Sequence, residues 1–270
     1  MIKKIFFLLF FSCILTLSAN KIITSGHEKY ARHLQGIAVD EKNIFWSFTD
    51  FLVKTDYNGK FIKHVPLPYH SGDICMVDGD IFVATDHRTQ NGLKSNGNRK
   101  SAVLRFNKNL DLVKSYPIEP DNLKIEGITF FNGKFYIGVG GNPKPHRKND
   151  ILIFDRGFKL LKRLSVDIGC NTRYGVQNLF VNENLICGGF YGVKTAFCFD
   201  PETLKTVKTF PCHPREGIAK VPESIAGNNN TWFVGVLNGK QNNWRGMVRI
   251  YRVENDKKIP VKPNELKLVK

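Results

Sequence analysis

Five short stretches of this chain place ionisable or amide side chains directly ahead of an apolar run. They are His33-Leu34-Gln35, His70-Ser71-Gly72-Asp73, Ile125-Glu126, Gln177-Asn178 and Arg215-Glu216. Two histidines, three carboxylates and two glutamines at equivalent places invite three kinds of chemistry. Carboxylates brought together raise one another's pKa, which suits Glu126 or Glu216 to general acid or base work. Oxygen ligands from Asp73, Glu126 and Glu216 with the two glutamines would suit Ca2+. His33 and His70 with Asp73 or Glu126 would suit Zn2+ or another transition ion. A structural reading stands beside these: Gln35, Glu126, Gln177 and Glu216 could only satisfy backbone N–H groups of neighbouring strands.

What makes the five places equivalent is a repeat. His33–Pro68 reads as four short extended segments, GIAV, IFWSF, FLVKTD and FIKHVPL, parted by turns at Asp40-Glu41-Lys42, Thr49-Asp50 and Asn58-Gly59. One such unit cannot bury its own faces. Four further copies follow from Asp73, Gly127, Asn178 and Gly217, and the third strand also recurs (LVKTD, VLRFN, ILIFD, AFCFD, MVRIY). A hairpin, a strand ending in Asp or Asn, a turn and an outer strand make one blade of a propeller. The expectation is an all-β, five-bladed β-propeller of four-stranded antiparallel blades near residues 33–68, 70–118, 124–167, 174–211 and 214–256, within one domain spanning 21–270. The flanks at 21–32 and 257–270 are candidates for the strand that fastens the ring, the latter otherwise a basic tail.

In such a ring the first strand of each blade lines the axis, so the residues opening it should share one face with the second-to-third-strand loops. Those loops carry Asp86, His87 and Arg88, Arg147, Phe190 and Tyr191, and Trp244 and Arg245. The expected site is a polar, partly cationic bowl in which Gln35, His70, Gln177, Arg88, Arg147, Tyr191, Trp244 and Arg245 bind a small-molecule, peptide or glycan ligand. No Gly-x-Ser-x-Gly nucleophile and no phosphate-cradling glycine loop occurs.

Lys3 and Lys4, an apolar run from Ile5 to Leu17 and Ser18-Ala19 have the layout of a secretory signal peptide over residues 1–20. Cys13 raises a lipoprotein alternative, which Phe10 disfavours. No other run could span a bilayer, so the expectation is a secreted or periplasmic monomer. A net charge of +16 suits acidic partners, but no aromatic-basic module points to nucleic acid. Of the cysteines left after export, Cys170 and Cys212 precede neighbouring inner strands and are the first candidate for a disulfide. Cys187 and Cys198, on adjacent strands, are the alternative, and Cys75 reads as core.

The segments LQGI at Leu34–Ile37 and IEGITFFNGKFY at Ile125–Tyr136 resemble the secreted five-bladed glutaminyl cyclase (glutamine cyclotransferase) type. The resemblance implies cyclisation of amino-terminal glutamine, with Glu126 as the proton-transfer carboxylate and Gln35 in the pocket. The chain departs from that pattern at His33-Leu34, at Trp46–Asp50 and at Tyr174–Asn178. The general repeat is also similar to gluconolactonase-like propellers with a central metal.

Overall fold

The structure is a computed structural model that describes residues 22–26, 28–68, 70–87, 100–118, 123–141, 143–214, 216–240 and 242–267. The expected signal segment and Arg88 lie outside them. The first sheet orders β1 (Leu34–Val39), β2 (Asn43–Phe48), β3 (Phe51–Asp56) and β4 (Phe61–Pro66) side by side. The second does the same with β5 (Ser71–Val77), β6 (Asp80–His87), β7 (Lys100–Phe106) and β8 (Leu112–Pro117). A seven-stranded sheet follows, from β9 (Lys124–Phe131), β10 (Lys134–Gly140) and β11 (His146–Phe154) through β12 (Leu160–Asn182) to β13 (Leu185–Tyr191), β14 (Ala196–Phe199) and β15 (Thr206–Phe210). The last sheet holds β16 (Ile218–Lys220), β17 (Thr231–Lys240), β18 (Asn243–Glu254) and β19 (Lys257–Val261). Every ladder is antiparallel.

The third-to-fourth-strand turns show why a strand here ends in Asp or Asn. Asp56 Oδ1 accepts the amides of Asn58 and Lys60 at 2.8 Å each, and Asp155 Oδ1 those of Gly157 and Lys159 at 2.9 Å each. Asn107 and Asp200 repeat the device. A short acceptor at the strand end replaces the ladder bonds that the turn interrupts.

Apolar residues on both faces of the sheets pack into five layers among the described residues. One of them lies inside the seven-stranded sheet, where Tyr136, Ile151 and Ile153 meet Val176, Leu179, Ile186 and Phe199. The two halves of that sheet therefore pack face to face, and β12 runs through both. Its first part pairs with β11 and its second with β13. The sequence reading ended one unit at 167 and began the next at 174. The backbone instead runs on as one strand element through 168–175, interrupted by left-handed Gly169, Tyr174 and Gly175.

Both chain flanks fasten the last sheet. β19 lies along Ile250–Glu254 of β18. Further along the same strand, Thr24 bridges Met247 and Tyr30 bridges Trp244, and Ile23 and Tyr30 are buried beneath. The segment between β16 and β17, expected as a hairpin turn, carries a short helix α1 (Glu223–Ala226) closed by left-handed Gly227.

The cysteine pairing differs from the first expectation. Cys187 and Cys198 face each other across β13 and β14 and are bonded, with Cα atoms 3.9 Å apart. Cys170 and Cys212 are both free thiols. Cys170 stands exposed on the β12 bend, carried away from the inner-strand approach. Cys212 is packed among Phe210, Ile218 and Trp232, and burial pushes its thiol pKa up to about 11.

Candidate functional site

The inner strands β1, β5, β9, β12 and β16 contact one another around an axis. Four of them carry a register slip, between Leu34 and Gly36, Ser71 and Ile74, Ile125 and Ile128, and, well inside β12, Val176 and Asn178. Such a slip is one extra residue that has no partner across the ladder and is re-aimed by the bulge. The chemistry-bearing residues Gln35, Glu126 and Gln177 sit in these slips, and Glu216 stands just before β16. Sequence register thus brings Gln35, Glu126, Gln177 and Glu216 to equivalent places.

Asp73 departs from this set. In the second sheet Gly72 holds the equivalent place, and Asp73 falls one residue further along, level with Gly36. Its buried Oδ2 accepts the amides of Leu179 at 2.9 Å and Ile128 at 3.4 Å, on two other inner strands. Burial pushes its pKa well above the usual carboxylate range, against those backbone donors. From β12, Asn178 Nδ2 donates to Gln35 O at 2.8 Å. These two side chains fill the axis because glycine leaves room. A Cβ on Gly36 would lie 2.5 Å from Asp73 Oδ1, and one on Gly217, at φ +101°, 2.5 Å from Ile37 N. Asp73 is an axial fastener.

One amide organises the groups above this plug. Gln35 Nε2 lies 3.0 Å from His70 Nε2, 3.4 Å from His33 Nε2 and 3.4 Å from Thr49 Oγ1. An amide nitrogen only donates, and the short 3.0 Å contact makes His70 Nε2 an acceptor, so neutral His70 carries its proton on Nδ1. His70 Nδ1 then lies 3.8 Å from Glu126 Oε2, and His33 Nδ1, 3.3 Å from Leu34 O, lies 3.9 Å from Glu216 Oε2. Two histidine–glutamate pairs are thus oriented by a single glutamine.

The pairs are not equivalent. Glu126 is buried and its Oε1 pairs with the Lys124 ammonium. Burial raises its pKa, the Lys124 charge opposes the rise, and Asp86 adds to it. Lys124 was missed by the sequence reading, although its spacing of two from Glu126 on β9 puts both side chains on one face. Glu216 is 8% exposed at its side chain but His33 is 48% exposed, so this pair meets solvent.

The open cavity at this end measures about 380 Å³. Of the expected binding residues, Gln35, Gln177, Tyr191 and Trp244 line it, together with His33 and Glu216. Leu237 and Asn242, from the loop expected there, complete the lining with Ala31 and Arg32, which were not foreseen. Ala31 and Arg32 arrive because the Tyr30–Trp244 bridge lays the N-terminal segment against β18. His70 and Glu126 lie behind Gln35. Arg147 is carried off to the exposed β11–β12 ladder, where its Nη2 pairs with Asp167 Oδ2 at 3.1 Å. Arg245, opposite Asn238, does not line the cavity, and Phe190 is buried core. Gln177 donates to Tyr174 O at 2.9 Å, supporting the backbone beside the cavity.

The residues do not fit the expected ion. Among the described residues no three His, Cys, Asp or Glu groups stand together as ligands for Ca2+ or Zn2+. His33 turns to Glu216, His70 to Glu126 and Asp73 to backbone amides, while Lys124 holds the cation position beside Glu126. Nor is any helix among the described residues long and apolar enough to cross a membrane.

No family model matches this chain, and no curated protein matches it in sequence. Solved structures do match in fold. The glutaminyl cyclase of Myxococcus xanthus aligns over 86% of this chain and 98% of its own, at 14% identity and a TM-score of 0.56. The GH43 protein BlXynB of Bacillus licheniformis aligns over 93% of this chain and 57% of its own, at 10% identity and 0.56. The nidogen/laminin complex aligns over 87% and 82%, at 10% identity and 0.51. At such identities the likeness is one of fold: the chain is a β-propeller of antiparallel sheets, similar to the glutaminyl cyclase propeller.

Proposed function

We propose that this protein is an exported, monomeric five-bladed propeller whose axial cavity binds a small or extended polar ligand and exchanges a proton with it through His33 and Glu216. The five apolar layers support the blade count, with β12 serving as the outer strand of one blade and the inner strand of the next. The observation that carries the functional reading is Gln35 orienting two histidine–glutamate pairs, one of which opens on the cavity. Two carboxylates held largely out of water are costly for a scaffold, and such groups concentrate where protons move.

Glu216 and His33 are the acid–base pair within reach of a ligand. Glu126, the residue the family resemblance favours, has the supporting role: with Lys124 it fixes His70, which fixes Gln35. A cyclisation of the glutaminyl cyclase kind, or a lactonase-like hydrolysis, would use the pair to take a proton from the attacking atom and return it to the leaving group. A receptor would use the same wall only to hold a ligand.

Trp244 supplies the test, because Trp46 and Trp232 are buried and only Trp244 lines the cavity. Purified protein is titrated with amino acids, peptides bearing amino-terminal glutamine, sugar lactones and oligosaccharides, following fluorescence and, by NMR, ligand consumption. At least one class should shift the signal in wild type, lose the shift in Trp244→Phe and bind at least tenfold more weakly to Glu216→Gln. Binding indifferent to Glu216→Gln would remove the site from this cavity.

A further inference from the structure

At the rim of the cavity two tyrosines meet edge to face. Tyr174 and Tyr191 have ring centroids 5.0 Å apart at 81°, and they are 37% and 45% exposed. Neither ring belongs to the core. Tyr191 lines the cavity directly, and Tyr174 is tied to it through Gln177, itself a lining residue.

Tyr174 occupies its place at a conformational cost. Its φ is +58°, a left-handed value that a bulky side chain seldom adopts. The next residue, Gly175, is also left-handed at φ +73°, and a Cβ there would lie 2.2 Å from Val139 O. Neighbours hold the turn: Tyr174 O accepts from Gly141 N at 3.1 Å and from Gln177 Nε2 at 2.9 Å. A strained backbone persists where its surroundings determine it, and such residues gather at binding sites. Asparagine would relax this position, yet the chain carries an aromatic ring that buries little.

We infer that Tyr174 and Tyr191 form an aromatic platform that extends the cavity into a subsite for a pyranose ring of an oligosaccharide; this deepens, and rests on, the axial cavity as the ligand site. A sugar ring has an apolar face of C–H groups and a hydroxylated edge. The rim matches both, since exposed aromatic rings offer flat apolar area at little entropic cost. Gln177, Asn242 and Arg32 line the same cavity as Tyr191 and bring polar side chains to the wall that a sugar's hydroxyls would meet. A wholly apolar ligand would find too many polar groups in this wall, and a compact ion would have no use for the platform.

The test uses cellohexaose, xylohexaose, chitohexaose and hexagalacturonate, each titrated calorimetrically into the whole protein, its Tyr191→Ala variant and its Tyr174→Asn variant. Asparagine suits the left-handed backbone, so Tyr174→Asn should melt no lower than wild type. At least one hexasaccharide should bind wild type and bind each variant about tenfold more weakly. Equal affinity in the variants, or no binding by any of the four, overturns the inference. If amino compounds still shift Trp244 fluorescence in a Glu216-dependent way, the cavity reading survives that failure. If no probe of any class does, both fall together.

Discussion

Replacing Asp73 tests the axial plug, and the structure sets the size of the effect. Its carboxylate accepts amides from β9 and β12, two strands that belong to neither its own sheet nor each other's ladder. Asp73→Ala leaves both amides buried without their acceptor, at about 1–3 kcal/mol each, or roughly 2–6 kcal/mol together. At about 2–4 °C per kcal/mol for a chain of this size, the melting temperature should fall by roughly 5–20 °C. Asp73→Asn keeps an acceptor oxygen of the same reach and should cost much less. The pH dependence separates the two further. Burial raises the native pKa of Asp73 above its unfolded value, so the native state binds the extra proton between the two. Where the native state binds more protons, stability falls as pH rises. The contribution of Asp73 is therefore fullest below about pH 4 and declines above it until the native group also ionises. Asparagine has no such slope. Thermal melts followed by circular dichroism at several pH values should show Asp73→Asn gaining on wild type as pH rises, with Asp73→Ala below both throughout. An alanine variant that melts with wild type, or an asparagine variant that loses ground as pH rises, would refute the reasoning.

Two further outcomes follow from the same geometry. Lys124 and Glu126 form a buried ion pair, so Glu126→Gln alone should cost about 3–5 kcal/mol in denaturant melts, while Lys124→Met combined with Glu126→Leu should restore most of that stability. Chain ending after Asp256 loses β19 and buried Leu266. The side chain alone contributes about 1.5–3 kcal/mol, so this truncation should melt at least about 3 °C lower; unchanged melting would show that the N-terminal segment closes the ring unaided.

Much of the fold was legible because the repeat is carried by residues with local reasons to recur. Asp56, Asn107, Asp155 and Asp200 each cap the same turn, and a spacing of turns marks strands whatever lies between them. The site was legible to the precision of a strand register and no further. A bulge inserts one residue in four of the five inner strands, and a single residue moves a side chain to another direction. Asp73 was aligned with Gly36 in the repeat, and that place faces the axis rather than the cavity. Lys124 could have been found, since alternation along β9 pairs it with Glu126. The N-terminal contribution was hidden for another reason: Ala31 and Arg32 reach the cavity through a bridge between Tyr30 and Trp244, partners more than two hundred positions apart with no local signature.

That bridge ties the birth of the cavity to the completion of the molecule. Arg32 and Trp244 come from opposite ends of the chain, and they become neighbours only when the segment around Thr24–Tyr30 has docked on β18. A chain still emerging, or one whose ends have frayed apart, has every inner strand and no finished binding wall. A ligand bound as proposed would act as a clasp, drawing the ends together by mass action, so that saturation should suppress end-fraying, as amide exchange at Ser25 and Tyr30 would register. The seam that joins the chain ends and the wall of the cavity share the same few residues.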